Sequence, residues 1–267
     1  MDELIGQGRT ANVYRCGEDK VIKVFHGEFA FLAEEEYSVA LNIRNTAAHA
    51  PHVYEMIDID DKKGIVYEYI RGMSMLQIMQ KNPLKVWSYA RLLADLQTEI
   101  HNKAVKIQGL ANIKESLSGT ILDTQLSQED KTAILNYLDG LPNDDRLCHY
   151  DFHPGNILMF NGKAKVIDWM TAGIGNPCAD VCRTSVILNS NILPSDSYAL
   201  QAVAIRIFRK IFYRAYINQY ISTTGKTLKE IEQWLLPVAA ARLAENIESE
   251  KQYLNEIVQR KLIEHRI

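Results

Sequence analysis

The sequence predicts an α+β fold in which a small antiparallel sheet carrying one helix precedes a mostly helical remainder. Three observations predict it. Short β-branched runs lie between Leu4 and Ile70, the apolar period lengthens to about 3.6 residues after Arg71-Gly72, and one β island from Leu147 to Trp169 interrupts the later helices. The 267 residues are 47% hydrophobic and 24% charged, the composition of one or two cored domains rather than of a disordered chain or a disulfide scaffold. Lys plus Arg number 30 and Asp plus Glu 33, so the net charge of -3 draws the chain toward neither phosphate backbones nor anionic lipid. No nucleic-acid or membrane partner is expected. The opening Met1-Asp2-Glu3-Leu4-Ile5-Gly6 has no basic segment followed by an apolar one, and no run of about 18 apolar residues occurs, so a cytoplasmic location is expected.

In chain order, residues 12–16, 21–25, 53–57 and 65–70 read as strands bounded by Gly, Asp, Asn or Pro. Residues 29–43 place Leu32, Tyr37, Ala40, Leu41 and Ile43 mostly on one helical face, and Asp60-Asp61-Lys62-Lys63-Gly64 reads as a polar hairpin turn. Gly72 reads as a hinge, after which Ser74 caps a short helix and residues 84–106 form a longer one carrying Leu92, Leu93, Leu96 and Ile100. Ser127-Gln128-Glu129-Asp130 opens another helix. From Ser195 onward the chain reads as almost wholly helical, with interruptions near Thr223-Thr224-Gly225 and Pro237. Cys16, Cys148, Cys178 and Cys182 lack metal or redox spacing, and Cys178 and Cys182, one turn apart on a helix, read as packed apolar side chains.

In the island, Ile157-Leu158-Met159-Phe160 and Lys163-Ala164-Lys165-Val166-Ile167 flank Asn161-Gly162, the strongest two-residue hairpin signal. Pairing Phe160 with Lys163 and counting back along both strands brings Asn156 and Asp168 to the same open end. Just before them, His149-Tyr150-Asp151-Phe152-His153-Pro154-Gly155 sets Asp151 in a loop bent by Pro154 and Gly155. Asp151, Asn156 and Asp168 are thus expected to converge. A carboxylate that can accept a proton, beside an Asn and an Asp that can hold a hard cation through oxygen, is what phosphoryl transfer to a hydroxyl requires. Singly, each has an ordinary reading: a turn-forming Asp, an Asn cap, a solvated Asp at a strand end. Together, His-x-Asp-x-x-x-x-Asn, a hairpin and Ile167-Asp168-Trp169 follow the order of a kinase catalytic loop and its metal-binding Asp.

The front of the chain supplies matching parts. Gly6-Gln7-Gly8-Arg9-Thr10-Ala11-Asn12-Val13 fits a glycine-rich turn between strands, where Gly6 and Gly8 let the backbone approach phosphate. Lys23 matches the strand lysine that meets nucleotide phosphates; without the glycine turn it would read as a solvated edge lysine. Glu34, Glu35 and Glu36 are its candidate partners, and the spacing to Leu41 and Ile43 favours Glu36. Glu68 to Ile70 stand where a nucleotide base would find backbone hydrogen bonds, or else form an ordinary strand end.

Taken in order, these motifs resemble the protein-kinase-like superfamily, and within it the aminoglycoside phosphotransferase and choline kinase branch, over residues 4–188. The run from His149 to Leu158 is close to that branch's signature loop, and Val166-Ile167-Asp168-Trp169 stands where protein kinases have Asp-Phe-Gly. The resemblance implies a two-lobed protein-kinase-like fold, with a nucleotide-binding lobe over residues 1–70 and a helical lobe over 71–267 that holds the catalytic loop, its hairpin and the acceptor site. It implies transfer of the terminal phosphate of ATP, or of GTP, with magnesium, to a hydroxyl of a small acceptor. Asp151 would be the base, Asn156 and Asp168 the magnesium ligands, Lys23 the phosphate-binding lysine and Glu36 its partner. Asp180, in Gly175-Asn176-Pro177-Cys178-Ala179-Asp180, would brace the catalytic loop, beneath which His149 is expected to pack.

Two features depart from the family pattern: Tyr150 stands where Gly is common, and few residues precede the glycine turn. His153 stands where protein kinases commonly have Lys, and no Ala-Pro-Glu segment follows Asp168, which favours a small acceptor over a protein. Aminoglycosides, choline-like amines, sugars, homoserine and thioribose derivatives all fit the family's chemistry. Glu245, Glu248 and Glu250 would attract a cationic acceptor, or else form a solvated helix face. A metal hydrolase built on His149 and His153 is disfavoured by the Pro154-Gly155 break and by the absence of a glutamate after His149. A silent nucleotide-binding regulatory module, the main rival, is disfavoured by the joint presence of Lys23, Asp151, Asn156 and Asp168; an atypical protein kinase is the third reading.

Overall fold

The computed structural model describes residues 3–44, 49–103, 109–190 and 199–265. In chain order its first elements are β1 (Leu4–Gln7), β2 (Ala11–Cys16), β3 (Lys20–Phe25), α1 (Leu32–Arg44), β4 (Val53–Ile59), β5 (Lys62–Glu68), β6 (Met73–Ser74) and α2 (Met75–Lys81). Next come α3 (Val86–His101), β7 (Ala111–Asn112), α4 (Ile113–Leu122), α5 (Gln128–Asp139), β8 (Arg146–Cys148), β9 (Ile157–Phe160), β10 (Lys163–Val166), β11 (Gly173–Gly175) and α6 (Pro177–Asn189). The last helices are α7 (Ala199–Thr224), α8 (Leu228–Glu232), α9 (Leu235–Arg242) and α10 (Glu248–His265). The protein is thus α+β, with an N-terminal antiparallel sheet and a mostly helical C-terminal part, as the change of period predicts.

Contacts divide the chain into two compact units: Met1–Ile78 with Lys106–Leu110 and Pro154–Ala172, and Met79–Val105 with Ala111–His153 and Gly173–Ile267. This differs from a contiguous division at residue 70, because the β9–β10 hairpin groups with the N-terminal sheet. Met73 and Ser74 of β6 pair with Met159 and Leu158 of β9. Val166 N and Lys165 Nζ donate to the carbonyls of His49 and Ala50 at 2.8 and 3.1 Å. Gly72 is a packing point rather than a loose joint, since a Cβ there would run into the Met159 carbonyl.

In the first unit the strand order is β1-β2-β3-β5-β4, antiparallel throughout. The two-residue period of a strand separates two apolar clusters. Ile22, Val24 and Val66 form one, while Ala11, Phe25, Val53 and Ile65 meet Ala33 of α1 in the other. Lys23 shares the Phe25 side and is therefore carried toward α1. A 3-10 turn at Gly27–Phe29 precedes that helix, whose buried residues are Ala33, Glu36, Val39 and Ile43. Hydrophobic spacing misses this stripe because one of its members is a carboxylate. The turn between β4 and β5 is shorter than expected, with Asp60 left-handed (φ 52°) and Lys62–Glu68 already paired.

In the second unit, α3 and α7 pack along each other, with Leu93, Leu96 and Ile100 buried on α3 and Tyr216 and Tyr220 buried on α7. α3 ends at His101, capped at Asn102, short of the expected end near Lys106, while the expected helical start at Ser195 lies outside the described residues. Ser127 caps α5, its Oγ accepting from Asp130 N at 3.1 Å. Asn112 caps α4, a helix the apolar pattern does not announce. The break after Thr224 falls where expected, and so does the one near Pro237: α8 ends at Glu232, and Pro237 sits in the first turn of α9, where the N–H it lacks would have no helical partner. A further bend follows α9, through a 3-10 turn at Leu243–Glu245 that ends on left-handed Asn246 (φ 53°). Cys178 and Cys182 are buried free thiols on α6. Among the described residues, no helix is long and apolar enough to cross a membrane.

Candidate active site

The first unit gathers the residues suited to phosphate and metal. Lys23 Nζ donates to both carboxylate oxygens of Glu36 at 2.8 and 2.7 Å and to Asp168 Oδ1 at 3.2 Å. Of the three acidic candidates on α1, Glu34 and Glu35 are exposed and only Glu36 faces the sheet. Tyr67 OH, whose pKa burial and then Glu36 push well above its ordinary value, donates to Glu36 Oε1 at 3.1 Å. Burial opposes the Lys23 charge, but the carboxylates of Asp168 and Glu36 outweigh it and raise the pKa, so the ammonium persists at neutral pH. The Asp168 side chain remains 43% exposed, against 16% for Lys23.

The hairpin sets the metal-capable pair. Phe160 pairs with Lys163 and Ile157 with Val166, and Asn161 (φ 47°) and Gly162 (φ 75°) supply the two positive φ values that a type I′ turn needs. Ile167 N then donates to the Asn156 carbonyl at 2.9 Å, which keeps Asn156 and Asp168 at the same end. Asp168 is left-handed (φ 64°, ψ 60°), and Trp169 Nε1 closes the turn onto the Val166 carbonyl at 2.7 Å. An amide oxygen and a carboxylate form a hard-oxygen donor set that suits magnesium. In the glycine turn Gly6 pairs with Val13, Gly8 N donates to the Ala11 carbonyl at 2.9 Å, and a Cβ on Gly8 would lie 3.2 Å from that same oxygen. Glu68 accepts from His52 N at 3.0 Å, while Ile70 is buried and its carbonyl accepts from Gly72 N at 2.7 Å. A surface cavity of about 590 Å³ beside Arg15, Tyr69, Arg71 and Met159 includes none of the phosphate or metal candidates.

The second unit holds the loop from His149 to His153. Asp180, fully buried in the first turn of α6, accepts from His149 N at 3.0 Å and from Tyr150 N at 2.9 Å. It also pairs with His101 Nε2 at 2.9 Å, and His101 Nδ1 meets Tyr220 OH at 2.8 Å. Burial raises the Asp180 pKa, yet the hydrogen bond and charge of His101 bring it below its ordinary value. His101, Cys148 and Asp180 lie close enough to share a metal, but all are buried and these bonds already engage the carboxylate. His149 is buried and its Nδ1 accepts from Asp151 N at 3.2 Å, beside an edge-on contact with Phe152. A bend separates His149 from His153, not a helix, which removes the geometry of a helical zinc pair.

The Asp151 side chain is 26% exposed, with His153 Nε2 at 3.7 Å and Arg183 Nη2 at 3.8 Å. Burial pushes its pKa up, but His153 and the Arg183 charge more than reverse this and hold it below the usual carboxylate range. Asp151 is therefore an ionised, accessible carboxylate at neutral pH. The C-terminal glutamates form neither an acidic patch nor a solvated face. Glu245 pairs with Arg183 at 2.6 Å and Arg242 at 3.2 Å, buried Glu250 pairs with Arg242 at 2.5 and 3.0 Å, and only Glu248 is exposed, beside Lys251. Sequence reasoning missed Tyr67, His101 and Arg183. Arg183, a charge set within the apolar run of α6, carried the one visible signal.

A family model described as "Phosphotransferase enzyme family" matches residues 3–216. Among solved structures, a thermostable mutant of aminoglycoside phosphotransferase APH(4)-Ia is similar over 97% of this chain and 94% of its own, with 14% identity and a TM-score of 0.66. Aminoglycoside-3'-phosphotransferase of type VIII covers 91% and 90% at 16% identity and a TM-score of 0.60. A streptomycin-ATP-APH(2")-IIa ternary complex covers 96% and 90% at 18% identity and a TM-score of 0.59. At these identities the likeness establishes a shared fold. No curated protein sequence matches significantly.

Proposed function

This chain belongs to the phosphotransferase enzyme family, and on that premise we propose that it transfers the terminal phosphate of ATP, with magnesium, to a hydroxyl of a small molecule. The observation that carries the reading is Lys23, joined to Glu36 at 2.7 Å and Asp168 at 3.2 Å across three separate elements. Lys23, with the backbone of the Gly6–Gly8 turn, would hold the nucleotide phosphates, and the segment from Glu68 to Ile70 would meet the base. Magnesium held by Asn156 and Asp168 would supply positive charge against the phosphates. Asp151 would orient the acceptor hydroxyl and take its proton. Complexes of similarly folded proteins with ADP and hygromycin B, with AMP-PNP and hygromycin B, and with ATP and streptomycin support a nucleotide donor and a hydroxylated small acceptor.

Thermal unfolding with ATP or GTP, each with and without magnesium, tests the donor half without an acceptor. A ligand that binds only the folded state at 100 times its dissociation constant adds about 2.7 kcal/mol of apparent stability. A rise in Tm that needs both nucleotide and magnesium is expected. No shift at millimolar nucleotide would sink the reading.

A further inference from the structure

Asp151 sits at the open end of a chain of alternating charge within the second unit. Arg183 lies 3.8 Å from Asp151 and 2.6 Å from Glu245, Glu245 lies 3.2 Å from Arg242, and Arg242 clasps the fully buried Glu250. The Arg183 and Arg242 side chains are each only 7% exposed. The chain thus runs from α10 through α9 and α6 to the catalytic loop.

We propose that Arg183 is a positioning residue for phosphate transfer: held by Glu245 and by the ring of Tyr150, its guanidinium fixes the direction in which Asp151 presents its carboxylate to the acceptor hydroxyl. The inference rests on Asp151 as the base.

Two observations separate this role from a purely structural one. Arg183 Nε is buried with no hydrogen-bond partner among the described residues. A brace chosen for stability alone would be met better by apolar side chains than by a buried, incompletely bonded cation. Tyr150 makes the second case. Its backbone is left-handed (φ 61°), where Gly or Asn costs least, and its OH also lacks a partner among the described residues. What Tyr contributes there is its ring, which lies 4.9 Å from the Arg183 guanidinium carbon. The departure from Gly at this position is thereby explained as a clamp on the arginine.

The test uses the full chain with magnesium and ATP, water serving as acceptor, and reads the initial rate of phosphate release against ATP concentration. Arg183→Gln should lower kcat on the order of 10- to 100-fold, as expected for a misdirected base, while KM for ATP stays within about two-fold. Arg183→Lys should recover part of the loss, since it restores the charge but not the planar fork. Glu245→Gln keeps Arg183 and loosens its hold, so kcat should fall about 3- to 10-fold at unchanged KM, and this variant decides the matter if Arg183→Gln does not fold. Folded variants with wild-type kcat, or losses confined to Tm, would overturn the proposal. Wild-type protein that binds nucleotide but transfers phosphate neither to water nor to any hydroxylated small molecule offered would instead overturn the phosphotransferase reading, and this inference with it.

Discussion

Replacing Asp151 with asparagine is expected to lower the rate of phosphate transfer by about 10³-fold, within the range that general-base catalysis contributes. The substitution keeps the shape of the side chain and its place beside His153 and Arg183, and removes the negative charge that accepts the proton. Because its surroundings hold Asp151 below the usual carboxylate range, the wild-type carboxylate is already ionised through the neutral region. Any acid limb that Asp151 gives the rate should then lie below the ordinary carboxylate pKa, with full activity above it. Nucleotide-dependent stabilisation should survive the change. Steady-state rates and melting curves on the same preparations check both halves, and a variant that keeps its rate or loses nucleotide binding in parallel contradicts the role.

The second large effect concerns Asp168. Asn is the informative replacement, since the left-handed backbone at φ 64° is tolerated better by Asn than by Ala. Asp168→Asn keeps that turn but removes both the charge proposed to bind magnesium and one of the two carboxylates on Lys23. Transfer should fall on the order of 10³-fold, the worth of several kcal/mol of charge stabilisation. Unlike Asp151→Asn, it should also abolish the magnesium-dependent part of the nucleotide Tm shift. Retention of that part would remove Asp168 from the metal site.

Local chemistry made part of this molecule legible in its sequence. The hairpin could be counted out residue by residue, because Asn161-Gly162 fixes a two-residue turn and a strand alternates with period two. The front strands and the cap at Ser127 follow from equally local rules. Lys23 could be placed, but its partner only narrowed: Glu36 is buried because an ion pair makes burial tolerable, and apolar periodicity cannot see a carboxylate on the inner face. The short strands β7 and β11 were invisible because their pairing partners, not their own side chains, define them. The Arg183–Glu245–Arg242–Glu250 chain was hidden for a related reason. Its glutamates, read along one helix, look solvated, and only packing of α6 against α9 brings Arg183 to Glu245. Pro237 marked its break correctly because a proline that cannot sit in a helix interior is accommodated in a first turn, here that of α9.

The most direct test of the central claim follows γ-labelled phosphate from ATP in the presence of magnesium. Aminoglycosides, amino alcohols, sugars and peptides are offered side by side, with the Asp151→Asn protein as control. A magnesium-dependent phosphate ester on a small hydroxylated compound is expected, absent with the variant. Label on peptide alone, or no transfer by a protein that binds magnesium and ATP, would contradict it.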